Sequence, residues 1–395
     1  MLLKYIKTNK TVLLFYLASI LLFVYIGFFR LSYLMPGIAK PELATSRLIL
    51  GWHGILNDPL NLVINIIRSV VYKLAAHKTA FDIRLPSVLI GISSMIGFYF
   101  LLKSYYGHKT AIIGSFLFDC TALLLHLTRF ASNGIEYVFS GVFILLINSY
   151  ISKKNLNKYI FSLLIFSLLI ISLNPGMLWL VILGIIINLK EYLINIKKLK
   201  NISGIIAIIL SLTVPVFLLV WYLIKNPLNI LNYLAIPSHN WRVVSFLKDI
   251  VITLKNIFVF NSANPDLWLG RSPILDSLAL ISFIIGSYYL LKHYRSSRVR
   301  LIYLSLIIAI LLIALNQNSI SLGLVLPFIY IIITVGITYL LQAWYKVFPF
   351  NPVARFIGLS LIILIVFLSC LYNLRSYFIA WAYNPTARSA FYIKE

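Results

Sequence analysis

Acid is what this chain has least of. Only ten of its 395 residues are Asp or Glu, against 34 Lys and Arg, and charged residues together make up 11%. Soluble domains carry about twice that share, so a water-surrounded globule is excluded. Cysteine is nearly absent as well. Cys120 and Cys370 both fall inside apolar runs, which argues against a structural disulfide or a thiolate metal centre. The six histidines show no ligand spacing, and neither an internal repeat nor a soluble domain is visible.

Hydrocarbon is what the chain has instead: 61% of it is hydrophobic and its mean hydropathy is +0.96. Apolar runs long enough to cross about 30 Å of lipid recur along it. They predict spans near 11–29, 83–103, 109–128, 133–151, 157–173, 175–190, 203–223, 273–292, 299–315, 319–341 and 354–374. Asn174-Pro175-Gly176 marks a turn or a kink between two of them. Only helices or closed barrels satisfy their backbone in lipid, so the expected fold is an all-α polytopic membrane protein of eleven spans. The first span has a basic start but no small-residue cleavage site, and reads as a retained anchor.

A net charge of +24 is compatible with nucleic-acid binding, yet the cations are spread along membrane-flanking segments and gather in no single domain. Their placement reads as topology. Lys4, Lys7 and Lys10, Lys103 and Lys109, Lys153, Lys154 and Lys158, and the group at Lys292–Arg300 mark the cytoplasmic side. The short turns at 174–176 and 316–318 carry no cation. A single transmembrane domain over 1–395 follows: a first span (1–30), a first outer loop (31–82), spans two to seven (83–224), a second long outer loop (225–272), spans eight to eleven (273–374) and an outer C-terminal tail (375–395).

The first outer loop holds three of the ten acids, Glu42, Asp58 and Asp82. Within it, Val63, Ile66, Ile67, Val70, Val71 and Leu74 recur at helical spacing, with Asn61, Asn65, Arg68, Ser69 and Lys73 between them. That segment is too short and too polar to span, so it predicts a helix lying in the membrane interface. Residues 243–260 repeat the theme. Such helices either plug the outer surface or roof a cavity for a lipid-linked substrate. Charges near a membrane are costly and are usually paired or functional. Arg129 and Glu136 flank the turn Phe130-Ala131-Ser132-Asn133, where they can close the hairpin as an ion pair. Asp119 reads as a buried acid hydrogen-bonded to a neighbour, and His126 as an interfacial side chain.

Three motifs stand in order on this background. Ile83-Arg84-Leu85-Pro86-Ser87 begins the second span, Tyr106-Gly107 forms the inner turn, and Thr128-Arg129-Phe130-Ala131-Ser132-Asn133-Gly134-Ile135-Glu136 forms the next outer one. Together they resemble the dolichyl-phosphate-mannose protein mannosyltransferase-like enzymes, family 39 of the GT-C glycosyltransferases, most strongly over 30–150. The resemblance implies a GT-C-type bundle that moves a sugar from a polyprenyl-phosphate carrier to an acceptor at the outer face of the cytoplasmic membrane. It also implies a first-loop carboxylate that activates the acceptor. Lys40-Pro41-Glu42 stands where the family has an acidic pair, so Glu42 matches the second member and the first is missing. Asn57-Asp58-Pro59-Leu60 replaces the family's His-Pro-Pro-Leu.

The chemistry agrees with that expectation. A phosphate already leaves readily, so a transferase using it needs one carboxylate at the acceptor hydroxyl and cations for the phosphate. Glycosidic hydrolysis uses two carboxylates. Glu42, with Asp58 in reserve, is the expected base. Lys40, Arg84, Arg129, Asn133, Glu136 and Arg271 are the expected ligands of donor phosphate and sugar. No metal site is assigned and metal dependence stays open: Glu42, Asp58 and Asp266 are the oxygen ligands a hard divalent cation would share. The expected reaction is an inverting transfer, its partners a polyprenyl-phosphate sugar and a lipid, glycan or protein acceptor. Two other classes stay open: a transporter or flippase for lipid-linked sugars, and an inactive envelope-assembly scaffold.

Overall fold

A computed structural model describes residues 20–35, 37–47, 55, 59–75, 79–152, 156–197, 202–237, 243–259, 273–316 and 319–391. Eighteen helices follow in order among them: α1 (20–28), α2 (Lys40–Arg47), α3 (Leu62–Leu74), α4 (Ala80–Tyr106), α5 (His108–Asp119), α6 (Ala122–Arg129), α7 (Gly134–Ile151), α8 (Lys158–Ser172), α9 (Met177–Ile187), α10 (Leu189–Lys197), α11 (Ile202–Lys225), α12 (Asn229–Leu234), α13 (Val243–Phe258), α14 (Ser277–Lys292), α15 (Ser297–Asn316), α16 (Leu326–Val347), α17 (Pro352–Arg375) and α18 (Pro385–Ala390). No strand occurs among the described residues.

Among the described residues six helices are long and apolar enough to cross a membrane, or eight if each of two bent pairs is one span. α8 and α14 are apolar but shorter. The protein is therefore an all-helical, multi-pass membrane protein. Ten of the eleven expected spans coincide with described helices, and the first is described only from residue 20 onward, as α1. Two expected spans are broken: α5 and α6 meet at 63°, and α9 and α10 at 77°. A third starts as a 3-10 segment, Ser319–Val325, before continuing as α16.

The breaks have local causes. At Thr121 the backbone turns extended, and the freed Ala122 amide donates to Asn373 Oδ1 on α17 at 3.1 Å. Asn373 Nδ2 in turn donates to Asp276 at 2.8 Å, the residue that also caps α14 through the Ala279 amide at 2.9 Å. One side chain thus satisfies a donor that lipid would leave bare. α4 begins with a reciprocal capping box between Thr79 and Asp82, so Asp82 serves a helix end.

α7 and α16 are the most enclosed of the long apolar helices, whereas α11 and α17 are largely exposed. α14 and α16 cross at closest approach through Gly286 and Gly336. A Cβ on the first would collide with the Ile332 carbonyl and one on the second with the Ser282 carbonyl. Small residues at such crossings replace hydrophobic driving force with close packing.

Candidate active site

Two expected site residues, Glu42 and Arg84, meet where α2, the start of α4 and the 130–133 turn come together. Glu42 is fully buried. Its Oε1 accepts from Arg84 Nε at 2.8 Å and from the Ala131 amide at 3.1 Å. Its Oε2 accepts from Arg84 Nη2 at 2.9 Å and from the Ala39 amide at 3.1 Å. A carboxylate offers about four lone-pair sites, and all are used. Arg84 also donates to the carbonyls of Leu31 and Gly37 at 2.9 and 2.8 Å and lies under the Phe391 ring. The two form a closed ionic clasp that ties the first loop to the bundle.

Arg129 turns away from Glu136. Its guanidinium donates to the carbonyls of Ile26, Gly27 and Phe29 at 2.6, 3.0 and 2.7 Å, capping the end of α1, and to Tyr377 Oη at 3.0 Å. The hairpin ion pair therefore does not form. A helix C-terminus presents free carbonyls and partial negative charge, a stronger attraction for this side chain than a carboxylate on the opposite side of the turn. His126 packs edge-on against Tyr377 and Trp381. A cavity of about 10 Å³, room for one water, separates these groups from Arg84.

Glu136 belongs to a second cluster, beneath α3. That helix is inside out. Its polar residues Asn65, Arg68, Ser69 and Tyr72 are buried, while Ile66, Val70 and Leu74 are exposed. The expected interfacial helix is present, but Ile66, Val70 and Leu74 of its apolar stripe face outward, while Asn65, Arg68, Ser69 and Tyr72 pack inward beside Leu62 and Ile64. Arg68, 1% exposed, donates through Nη1 to Asn133 Oδ1 at 2.7 Å, while its Nε and Nη2 are buried without partners. Burial works against its positive charge, and Tyr72 and Glu136 offset part of that penalty. Both oxygens of Glu136 are buried without a hydrogen bond of good geometry, although Arg68, the amides of Val63 and Ile64 and the Asn174 side chain surround it. Asn174 donates to Ser140 at 2.7 Å and leaves its own Oδ1 unpartnered.

The structure thus brings Glu42 to Arg84 and Asn133 to Arg68 beside Glu136. Lys40 sits exposed on α2, apart from these bonds. Asp58, Arg271 and Asp266 lie outside the described residues. Among the described residues no group of three His, Cys, Asp or Glu side chains is placed to hold a metal ion. Asp119 is buried at the α5–α6 break with Oδ1 unpartnered, where a hydrogen-bonded acid is expected. Arg68, Asn65, Asn174 and Tyr377 were not singled out as site residues in the sequence. For Arg68 a signal exists: a cation with no acid within helical reach in a segment otherwise balanced for an interface.

Residues 59–221 match the family model described as dolichyl-phosphate-mannose-protein mannosyltransferase. A comparison with curated proteins gives no match. Among solved structures, ArnT from Cupriavidus metallidurans bound to undecaprenyl phosphate superposes with a TM-score of 0.55 at 11% identity, covering 97% of this chain and 77% of that one. The same enzyme in the apo state gives 0.52 at 11% identity with the same coverage. The archaeal oligosaccharyltransferase AglB from Archaeoglobus fulgidus, in complex with an inhibitory peptide and a dolichol-phosphate, gives 0.50 at 11% identity, covering 99% of this chain and 57% of that one. The chain therefore shares the fold of these ArnT and AglB structures, and its residues 59–221 are similar to the dolichyl-phosphate-mannose-protein mannosyltransferase family.

Proposed function

We propose that the chain is a membrane glycosyltransferase that moves a sugar from a polyprenyl-phosphate carrier to an acceptor, with inversion, at the outer face of the cytoplasmic membrane. The observation that carries this reading is α3, a helix with Ile66, Val70 and Leu74 exposed and polar residues facing a buried cluster of Arg68, Asn133, Glu136 and Asn174. The matched family segment contains all four. Two of the fold relatives are described with a polyprenyl phosphate, undecaprenyl phosphate in one and a dolichol-phosphate in the other. A carrier lying in lipid meets α3 on its apolar side, while sugar and phosphate need the polar groups that α3 covers.

The role expected of Glu42 requires the clasp with Arg84 to open, since its lone pairs are taken in the resting arrangement. That same closure favours a second reading, an inactive scaffold that keeps the fold. One experiment separates them. The full chain in lipid nanodiscs receives undecaprenyl phosphate carrying radiolabelled glucose, mannose or arabinose, together with a membrane lipid and glycan extract. Release of free undecaprenyl phosphate with label on the acceptor fraction is expected. Absence of release from all three donors overturns the enzyme reading and leaves the scaffold.

A further inference from the structure

The described carboxylates at this end of the bundle are, with one exception, engaged in holding the fold. Glu42 accepts four hydrogen bonds. Asp82 closes the cap of α4, and Asp276 binds the Ala279 amide, Ser369 and Asn373. Glu136 is the exception: both oxygens are buried and neither has a partner of good geometry. Beside it, Arg68 is fixed through Nη1, which donates to Asn133 Oδ1 at 2.7 Å and Asn65 Oδ1 at 3.4 Å. Its unpartnered donors, Nε and Nη2, share one edge of the guanidinium, the edge that meets phosphate with two parallel hydrogen bonds.

Guanidinium and carboxylate atoms left without hydrogen-bond partners in a closed, water-poor place cost stability unless something else completes them. α7 presents Glu136 in its first turn, so the 130–133 turn fixes its position. α3 supplies Arg68 together with the Val63 and Ile64 amides, whose N–H groups open that helix and favour negative charge nearby. Asn133 and Asn174 add two amides able to orient hydroxyl groups.

We propose that Glu136 is the base of the transfer reaction and Arg68 a ligand of the carrier phosphate, both beneath α3. This rests on the glycosyl-transfer reading above. The acceptor hydroxyl oxygen attacks the anomeric carbon of the carrier-linked sugar and forms the new glycosidic bond. The bond from that carbon to the phosphate oxygen breaks, its electron pair leaving on polyprenyl phosphate, where Arg68 meets the added charge. The hydroxyl proton passes to Glu136. The closed Glu42–Arg84 clasp then serves as a rigid support for the 130–133 turn.

The test uses the full chain in nanodiscs and measures three quantities on each variant: sugar transfer from the three labelled donors, binding of undecaprenyl phosphate, and the thermal unfolding midpoint. Glu136→Gln is expected to lower transfer by about 100-fold or more, the usual weight of a general base, with carrier binding and unfolding midpoint unchanged. Arg68→Gln is expected to weaken undecaprenyl phosphate binding by about tenfold. Transfer by Glu136→Gln at the wild-type rate overturns the base assignment, and unchanged binding by Arg68→Gln overturns the phosphate assignment. Should Glu136→Gln fail to fold, Glu136→Asp decides: a lower kcat at unchanged KM for the donor supports the base, and an unchanged kcat overturns it. A wild-type chain that transfers none of the sugars defeats the functional reading and the base with it, while the binding of carrier by Arg68 is still decided by its own measurement.

Discussion

At Glu42 four donors meet four lone pairs, and at Arg129 three backbone carbonyls and a phenol meet one guanidinium. Both are charges placed where water does not compete, so losing one partner strands the other. Replacing Glu42 with Gln turns an acceptor oxygen into a donor facing Arg84 or a backbone amide. We expect a loss of about 3–5 kcal/mol, the cost of breaking a buried ion pair from one side, read as a lowered unfolding midpoint. The double variant Glu42→Ala/Arg84→Ala is expected to lose less than the sum of its single variants, because the stranded charge is gone. For Arg129, Lys is not a conservative replacement, since an ammonium lacks the planar fork that reaches the Ile26, Gly27 and Phe29 carbonyls together. Arg129→Lys is expected to lower the midpoint nearly as far as Arg129→Ala.

Among elements, α3 and the α14–α16 crossing carry the clearest consequences. Because Ile66 and Val70 are 37% and 48% exposed while Arg68 is buried, a charge added at Ile66 meets lipid. Ile66→Asp is expected to lower the fraction of chain recovered folded from membranes, whereas the same change on an ordinary interfacial helix, apolar side inward, would damage the core instead. Fluorescence-detected chromatography of detergent extracts distinguishes folded from aggregated chain. At the crossing, Gly336→Ala forces a methyl into the Ser282 carbonyl. The helices must separate, and a loss of about 1–3 kcal/mol from overpacking is expected in the same unfolding measurement. The positions of these elements were legible in hydrophobic period and length; their facing was not. An apolar stripe reads identically whether it meets a core or a lipid tail, and only the neighbours of Arg68 decide between them.

For the molecule as a whole, the orientation read from the cations remains to be measured. Both native cysteines are buried, so single added thiols report cleanly. Lys40 is exposed at the start of α2 and Lys292 at the C-terminal end of α14. Lys40→Cys is expected to react with a membrane-impermeant maleimide in intact cells, and Lys292→Cys only after lysis. The reverse pattern would put the polar end of the bundle in the cytoplasm. The sequence alone determined the class of molecule, the approximate spans, the two short amphipathic helices and the family resemblance. All of these follow from hydropathy and local order, which the chain carries within windows of about twenty residues. Only the tertiary structure decided the partners of each charge. Glu42 meets Arg84 across 42 positions, Arg129 meets Ile26 across 103, and Arg68 meets Asn133 across 65. Which carboxylate is spent on the fold and which is left for chemistry depends on those long-range bonds, and nothing in local spacing encodes them.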